Sequence, residues 1–118
     1  MYRRSVEDME QDQRKKLIID IRKEEDFERE TYPGARNIYW EEFDSHMEEI
    51  PKDVPVYLIC YTGQKSDELA EDLRGQGYEV FSVEGGYRAY LRRKLAALMS
   101  EPDTGAKEEE KKKRTQDI

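Results

Sequence analysis

The sequence predicts an α/β fold built on a parallel sheet. Two observations carry that prediction. Short apolar runs at Leu17–Ile19, Val56–Ile59 and Val80–Val83 alternate with stretches of helical character. The runs are continuously apolar, as in strands covered on both faces, and strands joined by helical crossovers pair in parallel with right-handed connections. At 118 residues the chain holds one compact domain with some tail.

In chain order, Ser5 followed by Asp8 resembles a capping box with Asp in the usual Glu place, opening a short helix over Val6–Gln13. Leu17-Ile18-Ile19 is a buried strand ending near Asp20-Ile21-Arg22. Lys23–Glu30 is charged around Phe27 and reads as a surface helix. Tyr32-Pro33-Gly34 is a turn, and Asn37-Ile38-Tyr39 a brief strand. Trp40–Glu49 is an amphipathic helix with Trp40, Phe43 and Met47 on its core face, halted by Pro51. Val54–Cys60 holds the second strong strand. Ser66 is the expected N-cap of a helix with Asp67 and Glu68 in its first turn, apolar at Leu69, Ala70 and Leu73, and ended by Gly75 and Gly77. Val80–Val83 is a third apolar strand. Gly85-Gly86 makes a loop, and Tyr87–Met99 a helix with Tyr90, Leu91, Leu95 and Leu98 on its apolar face.

The domain is expected over residues 1–100. From Glu101 to Ile118 the pattern dissolves into acid and base blocks with no apolar face, read as a charged disordered tail or a linker to a downstream domain. Charged residues make up 42% of the chain, well above the globular norm of about a quarter. The net charge of −7 resides between residues 17 and 100, where 18 acids face 11 bases. So acidic a surface is poorly suited to phosphate backbones, and direct nucleic-acid binding is not expected. No apolar run approaches the ~20 residues that span a bilayer, and no secretory pattern follows Met1, so no membrane role is expected and a cytoplasmic protein is the default. One cysteine excludes an internal disulfide, and one cysteine with one histidine excludes a structural zinc site. Neither metal nor cofactor is expected. Surface positions are expected for His46, Arg36 and Arg88.

Chemistry therefore falls to the lone thiol, Cys60, which ends a strand where ligands of such sheets sit. The segment Cys60-Tyr61-Thr62-Gly63-Gln64-Lys65-Ser66 leads from that strand into a helix. Such a loop turns main-chain N–H groups inward as an anion nest, and Gly63 permits the angles required. The helix start near Ser66 adds its positive end, Lys65 adds a cation, and no carboxylate lies within the loop. All four favour thiolate over thiol, and a persulfide anion has the same needs. Tyr61 and Thr62 are placed at the pocket mouth, with the Thr62 hydroxyl able to donate to a bound anion. The alternative for Cys60 is a buried core cysteine.

Cys60–Ser66 resembles the active-site loop of the rhodanese (thiosulfate sulfurtransferase) family, with Lys65 where arginine is frequent. Leu17–Arg22 resembles the family strand ending in Asp-x-Arg. Tyr32-Pro33-Gly34-Ala35-Arg36-Asn37-Ile38 and Val83-Glu84-Gly85-Gly86-Tyr87-Arg88-Ala89-Tyr90 resemble its two further motifs. The four blocks keep the family order from residue 17 to about 95. The resemblance implies a single-domain rhodanese-like fold, with about five parallel strands flanked by helices on both faces.

It also implies a ping-pong cycle. Cys60 takes sulfane sulfur from a donor such as thiosulfate or a protein persulfide, and yields it to a nucleophilic acceptor, a thiol or cyanide. Tyr61, Thr62, Gly63, Gln64, Lys65 and Ser66 form the binding loop, and Asp20 and Arg22 support it as an ion pair at the strand end. Lysine at 65 keeps the charge but forfeits bidentate binding of thiosulfate. Expected partners are the donor, the acceptor and a sulfur-using enzyme or fused downstream domain. The second reading is a non-catalytic rhodanese-like interaction or regulatory module of a larger protein.

Overall fold

A computed structural model describes residues 2–99; the expected tail at 101–118 lies outside the described residues. The three apolar runs become strands β2 (Leu17–Asp20), β4 (Val56–Ile59) and β5 (Val80–Val83), and two short polar segments add β1 (Arg3–Arg4) and β3 (Arg36–Asn37). They form one five-stranded parallel sheet in the order β1-β5-β4-β2-β3. Helices α1 (Val6–Gln11), α2 (Glu24–Arg29), α3 (Gln64–Gly75) and α4 (Gly86–Met99) connect or follow the strands, and a 3₁₀ segment, Trp40–Glu49, links β3 to β4.

Side-chain alternation along the strands divides the core. From β4, Val56 and Leu58, with Cys60 beyond, join Ile19, Phe43, Ala70 and Leu73 on the face covered by α3 and the 3₁₀ segment. Tyr57 and Ile59 join Val6, Met9, Phe81, Val83 and Tyr87 on the face covered by α1 and α4. Apolar burial on both faces is why the strands read as unbroken apolar runs. The chain order reverses between β2 and β4, so the carboxyl end of β4 opens into a topological switch point. Cys60 follows β4 there. No helix among the described residues is long and apolar enough to cross a membrane.

One strand goes unanticipated and three expectations are corrected. β1 carries no apolar pattern; it exists because Tyr2 and Arg4 carbonyls accept the Ser82 and Glu84 N–H groups (both 2.7 Å) at the sheet edge. The brief strand expected over Asn37–Tyr39 forms one residue earlier, over Arg36–Asn37, because only these pair with Ile19 and Asp20. Trp40–Glu49 winds as 3₁₀ rather than α: Ile50 N donates to Met47 O (3.1 Å), and the Ser45 hydroxyl takes the Glu42 carbonyl (2.8 Å). Its predicted core side, with Phe43 buried and Trp40 and Met47 packed against the core, is nonetheless present. In α4 the apolar face ends early: Tyr90 and Leu91 pack, whereas Leu95 and Leu98 are exposed (57% and 63%), because the helix outruns the sheet.

A polar assembly pins one end of the sheet and a close backbone approach the other. At the amino end of β4, the buried Tyr57 hydroxyl donates to Asp12 (2.7 Å) and accepts from Arg4 (2.9 Å), while Arg14 grips the same carboxylate (2.8 and 2.9 Å). The Arg14 hydrogen bonds hold Asp12 well below the usual carboxylate range; burial opposes this and Tyr57 adds to it. A depressed folded-state value stabilises above the ordinary aspartate value near 3.9, and that stabilisation is lost as pH falls below it. At the carboxyl end, Gly86 (φ +59°) starts α4 so close to the cysteine loop that an added Cβ would lie 2.3 Å from Cys60 O and 2.9 Å from Gly63 N.

Two measurements check these roles. Tyr57→Phe should cost about 1 kcal/mol in urea unfolding at neutral pH, and the difference from wild type should persist at pH about 4, because Arg14 keeps Asp12 ionised in the folded protein below that pH. Gly86→Ala should cost about 3 kcal/mol or more in the same assay, because both the left-handed backbone and the main-chain clash resist relief.

Candidate active site

The site begins where β4 stops. After Ile59, the chain wraps through Cys60–Thr62 and enters α3 at Gly63, whose φ of +102° lets the loop close on itself. Gly63, not Ser66, is the N-cap of α3. Ser66 sits one turn inside the helix, fully buried, with its hydroxyl donating to Gly63 O (3.1 Å). The helix starts earlier than expected because the positive φ of Gly63 makes the turn unaided.

Early entry aims the first free amides of α3 at the sulfur. Gly63 N–H donates to Cys60 Sγ (3.0 Å) and Ser66 N–H to the same atom (3.4 Å); the Cys60 thiol reaches Ser66 Oγ (3.4 Å). The carbonyls of the loop are drawn the other way. Tyr87 N–H, at the start of α4, donates to Cys60 O (2.7 Å), and Arg88 N–H donates to Tyr61 O (3.1 Å). Two helix N-termini therefore converge on seven residues, one meeting the sulfur and the other the carbonyls. Cys60 is 5% exposed.

Tyr61 is 57% exposed with the Arg88 guanidinium over its ring, and Thr62 beside it is also exposed. Gln64 is exposed on the first turn of α3. Lys65 does not turn onto the sulfur: its ammonium lies over the Trp40 ring (4.3 Å) and 3.8 Å from Glu68. The donors to Sγ are main-chain groups instead.

Asp20 and Arg22 are not at the sulfur either. Fully buried Asp20 accepts from Arg22 N, Nε and Nη2 (2.9, 3.0 and 2.8 Å) and from Thr31 Oγ1 (2.7 Å). Arg22 also donates to Glu30 O (2.6 Å) and lies over the Tyr87 ring (3.9 Å). The pair ties β2, the end of α2 and the start of α4 together. Burial and a hydrogen bond to Glu30 push the Tyr87 phenol up to about 12, so it stays protonated. Next to Tyr61 an open groove of about 480 Å³ is lined by Arg22, Asp26, Arg29, Glu30, Tyr61, Tyr87 and Leu91.

One neighbour of the site escaped the sequence reading. Ser82, fully buried on β5, places its hydroxyl 2.7 Å from Ser66 Oγ. Its signal was a lone hydroxyl inside the apolar run Val80-Phe81-Ser82-Val83. His46 and Arg36, expected at the surface, bind Glu49 there.

A region of 80 residues is 40% identical to the tRNA sulfurtransferase of Desulfurococcus amylolyticus, covering 65% of this chain but 16% of that relative. The chain thus spans about a sixth of that protein. A rhodanese-like domain protein from Staphylococcus aureus has the same fold, with TM-score 0.65 and 24% identity over 72% of this chain and 83% of that one. An NAD-dependent persulfide reductase from A. fulgidus superposes with TM-score 0.62 and 28% identity over 76% of this chain and 16% of its own. The model of the rhodanese-like domain matches residues 4–93, from the last residue of β1 to the middle of α4. With both the sheet and the cysteine loop inside that match, the chain belongs to the rhodanese-like domain family.

Proposed function

We propose that this protein is a sulfurtransferase that carries sulfane sulfur as a persulfide on Cys60. The observation that carries the reading is the pair of α3 amides, Gly63 N–H and Ser66 N–H, directed at Sγ. Main-chain donors at fixed positions suit a sulfur anion and need no reorganisation as it forms. Family membership and the sulfurtransferase relative support the same chemistry.

In the first half-reaction the Cys60 thiolate attacks the outer sulfur of a donor such as thiosulfate. A Cys60–S bond forms, the donor S–S bond breaks, and sulfite leaves with the bonding pair. The outer persulfide sulfur then sits over the loop mouth. In the second half-reaction a nucleophile, cyanide or an acceptor thiolate, attacks that sulfur, and the S–S bond breaks with its electron pair returning to Cys60. No oxidant is consumed in either half. Tyr61 and Thr62 flank the mouth through which donor and acceptor alternate, and the groove beside Tyr61 is where an acceptor approaches. Asp20 and Arg22 hold the scaffold under α4 rather than touch sulfur.

Wild-type protein should convert thiosulfate and cyanide to thiocyanate and gain about 32 Da, one sulfur, on exposure to a sulfane donor. Cys60→Ala should show neither. Absence of the adduct on wild type with thiosulfate and with a protein persulfide alike would overturn the proposal in favour of a binding module. Lys65→Ala should change kcat/KM for thiosulfate by no more than about twofold, since the ammonium is engaged by Trp40 and an exposed charge acts weakly through solvent.

A further inference from the structure

Beneath Cys60 lies a short chain of buried hydroxyls that the proposed reaction leaves without a task. Ser66 Oγ is within reach of three groups: Cys60 Sγ at 3.4 Å, Gly63 O at 3.1 Å and Ser82 Oγ at 2.7 Å. Ser66 has one proton to give. Ser82 Oγ has one described side-chain partner, Ser66 Oγ, and both residues are fully buried.

Proton counting assigns the orientations. With Cys60 as a thiol, its S–H donates to Ser66 Oγ and the Ser66 proton goes to Gly63 O. Once the sulfur is an anion it has no proton to give and accepts instead. The Ser66 O–H then turns from Gly63 O to Sγ. Gly63 O is not orphaned by that turn, because Asp67 N–H still donates to it (3.0 Å). In both arrangements Ser66 Oγ has a lone pair open for the Ser82 proton. A hydroxyl that accepts a hydrogen bond is a stronger donor, so donation from Ser82 strengthens the bond Ser66 makes to sulfur.

We infer that Ser82 is a positioning residue for the site: its buried hydroxyl orients the Ser66 hydroxyl as a third donor to the Cys60 sulfur anion. The inference deepens the sulfur-transfer reading and rests on it only for its biological purpose. The hydroxyl chain acts on any anionic form of Cys60. Its location also fits the sheet, since Ser82 pairs in register with Leu58, two residues before Cys60 on the same side of β4.

The test is the alkylation rate of Cys60 in the full chain with iodoacetamide, which requires no sulfur turnover. Ser82→Ala removes one oxygen and should slow alkylation at neutral pH by about three- to fivefold. At pH about 10, above the ordinary cysteine range near 8.5, the two proteins should react within about twofold of each other. Ser66→Ala should slow the neutral reaction at least as much, and Ser66→Ala with Ser82→Ala should be no slower than Ser66→Ala alone, because one residue acts through the other. The inference is overturned by wild-type reactivity of Ser82→Ala at neutral pH, by equal slowing at all pH values, which marks altered access, or by additive effects of the two substitutions. If wild type forms no persulfide while the alkylation pattern holds, the sulfur-transfer reading fails and the hydroxyl chain stands.

Discussion

The site depends on one constraint: a seven-residue loop can turn its amides inward only if its carbonyls are satisfied elsewhere. The Cys60 and Tyr61 carbonyls are taken by the Tyr87 and Arg88 amides of α4, which frees the Gly63 and Ser66 amides of α3 for the sulfur. Both helix starts carry orphan N–H groups, and each finds its acceptor in the same loop. The approach is so close that a side chain at position 86 has no room. The sulfur pocket is thus a consequence of helix-end accounting rather than of charged side chains. That explains how a lysine held by Trp40 coexists with an otherwise intact loop.

Holding α4 in that position needs its own support, which the Asp20–Arg22 pair supplies. A buried carboxylate is costly unless its lone pairs are filled, and Asp20 has the Arg22 fork, the Arg22 amide and Thr31 around it. The guanidinium is in turn clamped between Glu30 O and the Tyr87 ring. Asn37 closes the arrangement by donating to Asp20 O (3.0 Å) and Arg22 O (2.9 Å), so β2 and β3 end at matched heights. Rigidity at this end of the sheet is what a mouth with fixed donors requires. The polar latch around Tyr57 and Asp12 lies at the opposite end of the sheet.

Much of this was readable in the residues. Three apolar runs located the central strands, because burial on both faces leaves no polar alternation to misread. Cys60 was identified by its place at a strand end before a glycine-bearing loop. Asp20 and Arg22 were read as an ion pair, since acid and base two apart at a strand end can pair, and that ion pair forms. The reading failed where the determining partner is remote. β1 has no pattern of its own and is a strand only through β5. Lys65 was expected beside the loop because it is adjacent in sequence, yet Trp40 holds its ammonium. Leu95 and Leu98 follow helical spacing but outrun the surface they would cover.

By itself, the sequence determined the α/β class, the central strands, the place of the single cysteine at a strand end and the loop that follows it. These follow from local chemistry: side-chain branching, periodicity and the backbone freedom of glycine. The tertiary structure alone decided which groups face the sulfur. It set the early start of α3 at Gly63, the capture of the loop carbonyls by α4 and the hydroxyl of Ser82 behind Ser66. Hydrogen-bond direction between elements far apart in the chain depends on how those elements pack, and no window of sequence contains that information.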